Sequence, residues 1–107
     1  MSRVVSKTIG KWRIVEADLW DSEYLDMLEP AFIAFNKDGR GEFHFGCVNA
    51  GLDCEYSATT AHFTWQGFDE MDEVSGDGFA QVEDDGTLSV EIEFHLGDEA
   101  TLKAKKW

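Results

Sequence analysis

Between positions 41 and 102 the chain has no lysine or arginine at all, while fifteen aspartates and glutamates fall in that interval. In a chain of 107 residues with a net charge of −13, that absence bears directly on partners. Affinity for phosphate comes from lysine and arginine displacing counterions, so a surface built from this interval repels nucleic acid and anionic membranes. Direct nucleic-acid binding and membrane association are not expected. Proline is nearly missing too: Pro30 stands alone among ten dispersed glycines, and no linker or low-complexity stretch can be drawn. No apolar run approaches the roughly 18 residues of a membrane span, and residues 1–11, though basic, lack the apolar heart of an export signal. A cytoplasmic location is the expectation. Cys47 and Cys54 are the only thiols, and without export they are expected to stay reduced.

What is present is aromatic and alternating. At 43% hydrophobic and 13% aromatic residues, the chain has the composition of one folded domain over residues 1–107 that needs no staple. Residues 32–46 read as a β-hairpin, two Phe-rich runs joined through Asn36-Lys37-Asp38-Gly39, because Asn and Asp start turns and Gly39 can adopt positive φ. A second hairpin spans residues 81–94 with Asp84-Asp85-Gly86 as its turn. Val4 and Val5 suggest a loose first strand, and Trp12 and Ile14 alternate with Lys11, Arg13 and Val15 in a firmer one. Asp21 is placed to cap a short helix near residues 22–28. Trp20 and Leu25 have the spacing of a hydrophobic staple, Tyr24, Leu25 and Leu28 share a face, and Pro30 stops the run. Asn49-Ala50-Gly51 reads as a turn, and residues 67–77 as the longest loop.

Strand parity is strict in Leu52, Cys54 and Tyr56; in Ala61, Phe63 and Trp65; in Leu88, Val90, Ile92 and Phe94; and in Ala100, Leu102 and Ala104. About eight strands joined by short turns predict a mainly β chain, an antiparallel meander. Curling it, closed or half-closed, into a small calycin-like barrel buries the apolar face and removes the edges, with the Tyr24 helix plugging an open end.

The order Trp12-Arg13-Ile14-x-Glu16, Trp20-Asp21, Pro30, Gly39-x-Gly41-x-Phe43-x-Phe45-Gly46, Asp53-Cys54-x-Tyr56, Trp65-x-Gly67-x-Asp69-Glu70-x-Asp72, Gly76-x-Gly78-x-Ala80 and Phe94-His95-x-Gly97-Asp98 spans nearly the whole chain. It resembles a group of small uncharacterised bacterial proteins of about this length, with no assigned activity. The resemblance implies one intact domain and a bacterial, cytoplasmic origin. Such proteins are expected to carry a base between the two glycines where this chain has Asp77. Gly10-x-Trp12 is similar to the opening of lipocalin-like and avidin-like barrels, which implies a ligand-holding barrel.

Motifs for chemistry are sparse. No Cys-x-x-Cys or His-x-x-x-His pair occurs, and residues 36–41 fail as a calcium loop because Arg40 falls where an oxygen ligand belongs. Asp69, Glu70, Asp72 and Glu73 are the residues that would hold a cation if any did, but an acidic loop is expected to be solvated. No metal and no cofactor is expected. His95 and Asp98 flank a turn as a base and its orienter would, with no nucleophile at readable spacing. His44 and His62 are expected to be exposed. Trp20, Trp65 and Phe68, beside acids at strand and helix ends, are where a barrel mouth would place contact groups.

The expectation is a non-enzymatic binding or interaction module that takes a basic protein surface or a small molecule at a mouth rimmed by Trp20, Asp21, Trp65, Phe68, Asp69, Asp72, His95 and Asp98. Two alternatives stand beside it. One is a metal-dependent enzyme using the acidic loop with His95 and Asp98; the other is a nucleic-acid charge mimic acting on a basic partner.

Overall fold

A computed structural model describes residues 6–107 apart from Leu28 and Leu96, and only the backbone of Ser22. The expected strand at Val4 and Val5, and the place of Leu28 on the helix face, lie outside the described residues. In chain order the elements are β1 (Gly10–Ala17), α1 (Ser22–Leu25), β2 (Phe32–Phe35), β3 (Arg40–Phe45), β4 (Val48–Tyr56), β5 (Thr60–Asp69), β6 (Asp72–Val82), β7 (Leu88–Phe94) and β8 (Glu99–Lys106). Each strand pairs antiparallel with the next, and β8 returns to β1, so the meander is a closed eight-stranded barrel. The seam runs from Trp12 opposite Lys106 to Ala17 opposite Leu102, with its register shifted at a bulge between Ile14 and Glu16.

The two hairpins read from the sequence are in place. Gly39 has φ 87° and Gly86 φ 85°, and the side chains of Asp38 and Asp85 accept the backbone N–H groups of Arg40 and Thr87. Two expected turns are strand instead. Asn49, Ala50 and Gly51 lie inside β4, because the reversal comes earlier at Gly46-Cys47, where Gly46 has φ 55° and passes directly under the Tyr24 ring. The supposed loop at 67–77 is the end of β5 and most of β6; only Glu70 and Met71 turn, with Asp69 opposite Asp72. Its glycines serve the coiling of the barrel. A Cβ on Gly76 would run into the carbonyl oxygen of Glu93 on β7, so only glycine lets the strands come that close.

Eight strands enclose a space that side chains just fill. Phe43 stacks on Phe45 at 5.3 Å between ring centroids, Trp65 meets Phe43 edge-on at 5.3 Å, and Phe94 meets Trp65 at 5.0 Å. Ile14, Ile33, Leu88, Val90, Ile92 and Leu102 pack around them with almost no exposure. The helix is shorter than expected, a single turn. Its cap is as read: the Tyr24 N–H donates to Asp21 Oδ1 at 2.9 Å.

Candidate functional site

The Tyr24 helix plugs one end of the barrel, and Trp20, expected at an open rim, packs into that plug. The Trp20 ring lies 4.9 Å from Phe45, 5.8 Å from Tyr24 and 6.4 Å from Phe94, and Leu25 beneath the helix is buried. Trp65 belongs to the core rather than to a rim: it points inward from the middle of β5 and its Nε1–H donates to the Asp77 carbonyl at 3.2 Å. Asp69 and Glu70 sit close enough to this end that, after burial, their charge helps push the Tyr24 hydroxyl above its ordinary pKa. The Cys47 thiol is raised too, by partial burial first and then by Glu70 and Asp69. A raised pKa leaves less of the thiolate that does the chemistry of a reactive cysteine.

The acidic turn and the His95–Asp98 turn do not meet at one point. His95 Nδ1 is 3.0 Å from Ser75 Oγ, and Ser75 lies three residues along β6 from Asp72, about 10 Å at strand spacing. Asp98 uses its carbonyl to accept the Phe94 N–H at 2.8 Å. Among the described residues no three His, Cys, Asp or Glu side chains are grouped to hold a metal ion. Of the residues expected at the rim, Phe68, His95 and the edge of Trp65 come together with Glu73 in an open outer groove of about 590 Å³, while Trp20, Asp21, Asp69, Asp72 and Asp98 are not part of its lining.

Pairing register assembles something that spacing did not reveal. Across the outer face, Arg40, Asp53, Thr64, Asp77, Glu93 and Glu99 stand directly opposite one another on six successive strands. The next row is Glu55, His62, Phe79, Glu91 and Thr101. Asp77, Glu93 and Glu99 are therefore like charges in direct opposition, an arrangement that destabilises a sheet. Between the rows, Asp53, Glu55, His62, Thr64 and Asp77 line an open groove of about 440 Å³, and the His62 ring packs edge-on against Phe79 at 4.6 Å. Alternation marked each of these residues as outward. Only the register places them side by side.

His44 corrects an expectation. It points outward by parity yet is only 4% exposed: the ring of Phe32, its direct partner across β2, stacks beside it, and Glu29 just before β2 reaches its Nε2 side. Its Nδ1 lies 2.6 Å from Asn49 Oδ1, and its Nε2, 3.7 Å from Glu29 Oε1, has no hydrogen-bond partner among the described residues. His62 is exposed as expected.

What these observations define is a closed antiparallel meander barrel with a filled interior, whose surface chemistry lies on the outside of its sheet. Comparison with protein-family models, with curated proteins and with solved structures finds no match.

Proposed function

We propose that the protein is a non-enzymatic binding module that docks a lysine- and arginine-rich protein surface on the outer face running from β4 to the start of β8. The observation that carries this reading is the row Asp77, Glu93 and Glu99, opposed strand by strand. A sheet that keeps like charges in direct opposition gives up stability, and a base from outside recovers it. Phe79 and His62 supply an aromatic centre beside the row, the kind of anchor that protein interfaces favour. The small-molecule form of the reading has less behind it, since Trp20 packs on the chain's own rings at the end where a ligand was expected. The setting that goes with the reading is the bacterial cytoplasm. Cys47 closes the turn before β4, and Cys54 lies six residues beyond Val48 on that strand, roughly 20 Å at strand spacing, too far for the two to bridge each other.

The same row favours a narrower alternative, mimicry of nucleic acid toward a basic partner, because carboxylates on neighbouring strands repeat at about 4.8 Å. One titration tests the main reading. A peptide rich in both lysine and arginine should bind the wild type with an affinity that falls as salt rises. Asp77→Lys with Glu93→Lys should lose that binding, while the same reversals at Asp84 and Asp85 in the β6–β7 turn should keep most of it. Equal loss from both pairs would mean that net charge alone attracts the peptide, and the reading would fall. Competition by a DNA duplex for a basic partner held on the wild type, abolished by the same reversals, would favour mimicry.

A further inference from the structure

The outer face of β2–β5 holds a second open groove, of about 610 Å³, and its floor at Gly51 is bare backbone: a Cβ there would meet nothing within 4 Å. Its walls carry the carboxylates of Glu29 and Glu42, the amides of Asn49 and Gln66, and the ring of Phe68, which is 54% exposed. His44 lines it too. An amide oxygen only accepts, so the contact between Asn49 Oδ1 and Nδ1 places a proton on Nδ1, and in the neutral ring Nε2 then carries the lone pair. That lone pair faces the Glu29 carboxylate across 3.7 Å, one acceptor set against another with no hydrogen bond between them.

What the gap lacks is a donor that carries positive charge and brings no acceptor of its own. A guanidinium fits that description: five N–H groups in a planar fork, no acceptor, and a delocalised charge that lies well against an aromatic ring. A lysine ammonium offers three donors from one hydrated point and cannot reach two separated acceptors as a fork does. We infer that this groove seats an arginine side chain of the basic partner, its guanidinium bridging His44 Nε2 and Glu29 and its stem running over Gly51 beside Phe68. The inference rests on the basic-partner reading above, and the groove adjoins that acidic row, since Gly51 and Gln66 are two residues from Asp53 and Thr64. Lys11 Nζ already stands 4.6 Å from the Phe32 ring, so Phe68 is the open aromatic wall. Glu29, whose side chain is 55% exposed, needs only to turn about its own bonds to admit the fork.

The test compares two peptides of identical length and charge, one built on arginine and one on lysine, titrated calorimetrically into the full chain. The arginine peptide should bind about tenfold tighter. Gly51→Val, which fills the floor where a side chain meets no neighbour, should remove that preference, and His44→Phe should do the same. Glu91→Gln with Glu93→Gln should weaken both peptides alike. Nitrogen-15 spectra give an independent reading: His44 Nε2 should resonate as an unprotonated acceptor and shift when the arginine peptide, but not the lysine peptide, is added. Equal affinities that Gly51→Val leaves unchanged would overturn the arginine site and leave the basic-partner reading standing. A bare N–H resonance at Nε2 before any peptide is added would also overturn the site, the proton then being the occupant. Failure of both peptides to bind would overturn both readings together.

Discussion

On β1 and β8 the outward side chains include Lys11, Arg13, Lys103 and Lys105, and several of these bases are committed within the molecule. Arg13 bonds Asp26 at 2.8 Å, Lys11 lies over the rings of Phe32 and Trp107, and Lys106 at the end of β8 donates to the Ile9 carbonyl while covering Trp12. On β4, β6 and β7, Asp53, Glu55, Asp77, Glu91 and Glu93 point outward, and among the described residues no lysine or arginine comes within 4 Å of their carboxylates. One face has turned its charges inward upon the fold. The other has left them for whatever comes from outside, and that contrast, more than the net charge, is what singles out a binding surface.

The contrast can be broken first at its geometry. If β6 and β7 lie as close as the Asp77–Glu93 register requires, Gly76→Ala should cost about 2–4 kcal/mol in urea unfolding, because the new methyl meets the Glu93 carbonyl. Tolerance of this change within about 0.5 kcal/mol would dissolve the row. The next effect should have the opposite sign. Glu93→Gln relieves opposition with both Asp77 and Glu99, and should stabilise the fold by about 0.5 kcal/mol at low salt, with the gain fading near 1 M. On the committed face, Arg13→Gln should destabilise by slightly less, about 0.4 kcal/mol, as the half-exposed pair with Asp26 is lost. If both changes had the same sign, the two faces would not differ in the way described.

The smallest effect belongs to Asp85, in the turn between the acidic strands and β7. Hydrogen bonds from the Thr87 hydroxyl and N–H hold its carboxyl below the usual range, with a smaller contribution from Lys103. A carboxyl lowered on folding lends stability above its unfolded pKa and loses it as pH falls through the folded value. Urea midpoints at neutral pH and at about pH 3 should therefore draw together for the wild type and Asp85→Asn, the variant being slightly weaker only at neutral pH.

Parity and turn chemistry made the barrel legible before any coordinates. Leu88, Val90, Ile92 and Phe94 face in, Glu91 and Glu93 face out, and Gly39 and Gly86 turn the chain where expected. The misreadings share one cause. Gly51, Gly67 and Gly76 look like turn residues in one dimension, but two of them mark where strands of a small barrel press together and the third leaves its surface bare. His44 is outward by alternation, and nothing local to β3 announces that Phe32 on the paired strand stacks beside it and that Glu29 reaches its ring. The acidic row was hidden for a similar reason: Asp77, Glu93 and Glu99 are distant in sequence, and only hydrogen-bonded register makes them neighbours.

The seam between β1 and β8 also has a meaning in time. Trp12 cannot meet Lys106 until 94 more residues have been made, about 5–20 s of synthesis at typical rates, whereas hairpins close in microseconds. For those seconds the growing sheet has an unpaired edge at β1, and β8 arrives as the strand that must find it. Lysine on an edge strand discourages pairing with other chains. Lys11 and Arg13 on the first strand, with Lys103 and Lys105 on the last, lie on the two strands that meet only at the end. The basic face of the finished barrel is in this sense the guard of its unfinished one, keeping neighbouring chains off the edges until the ring has shut.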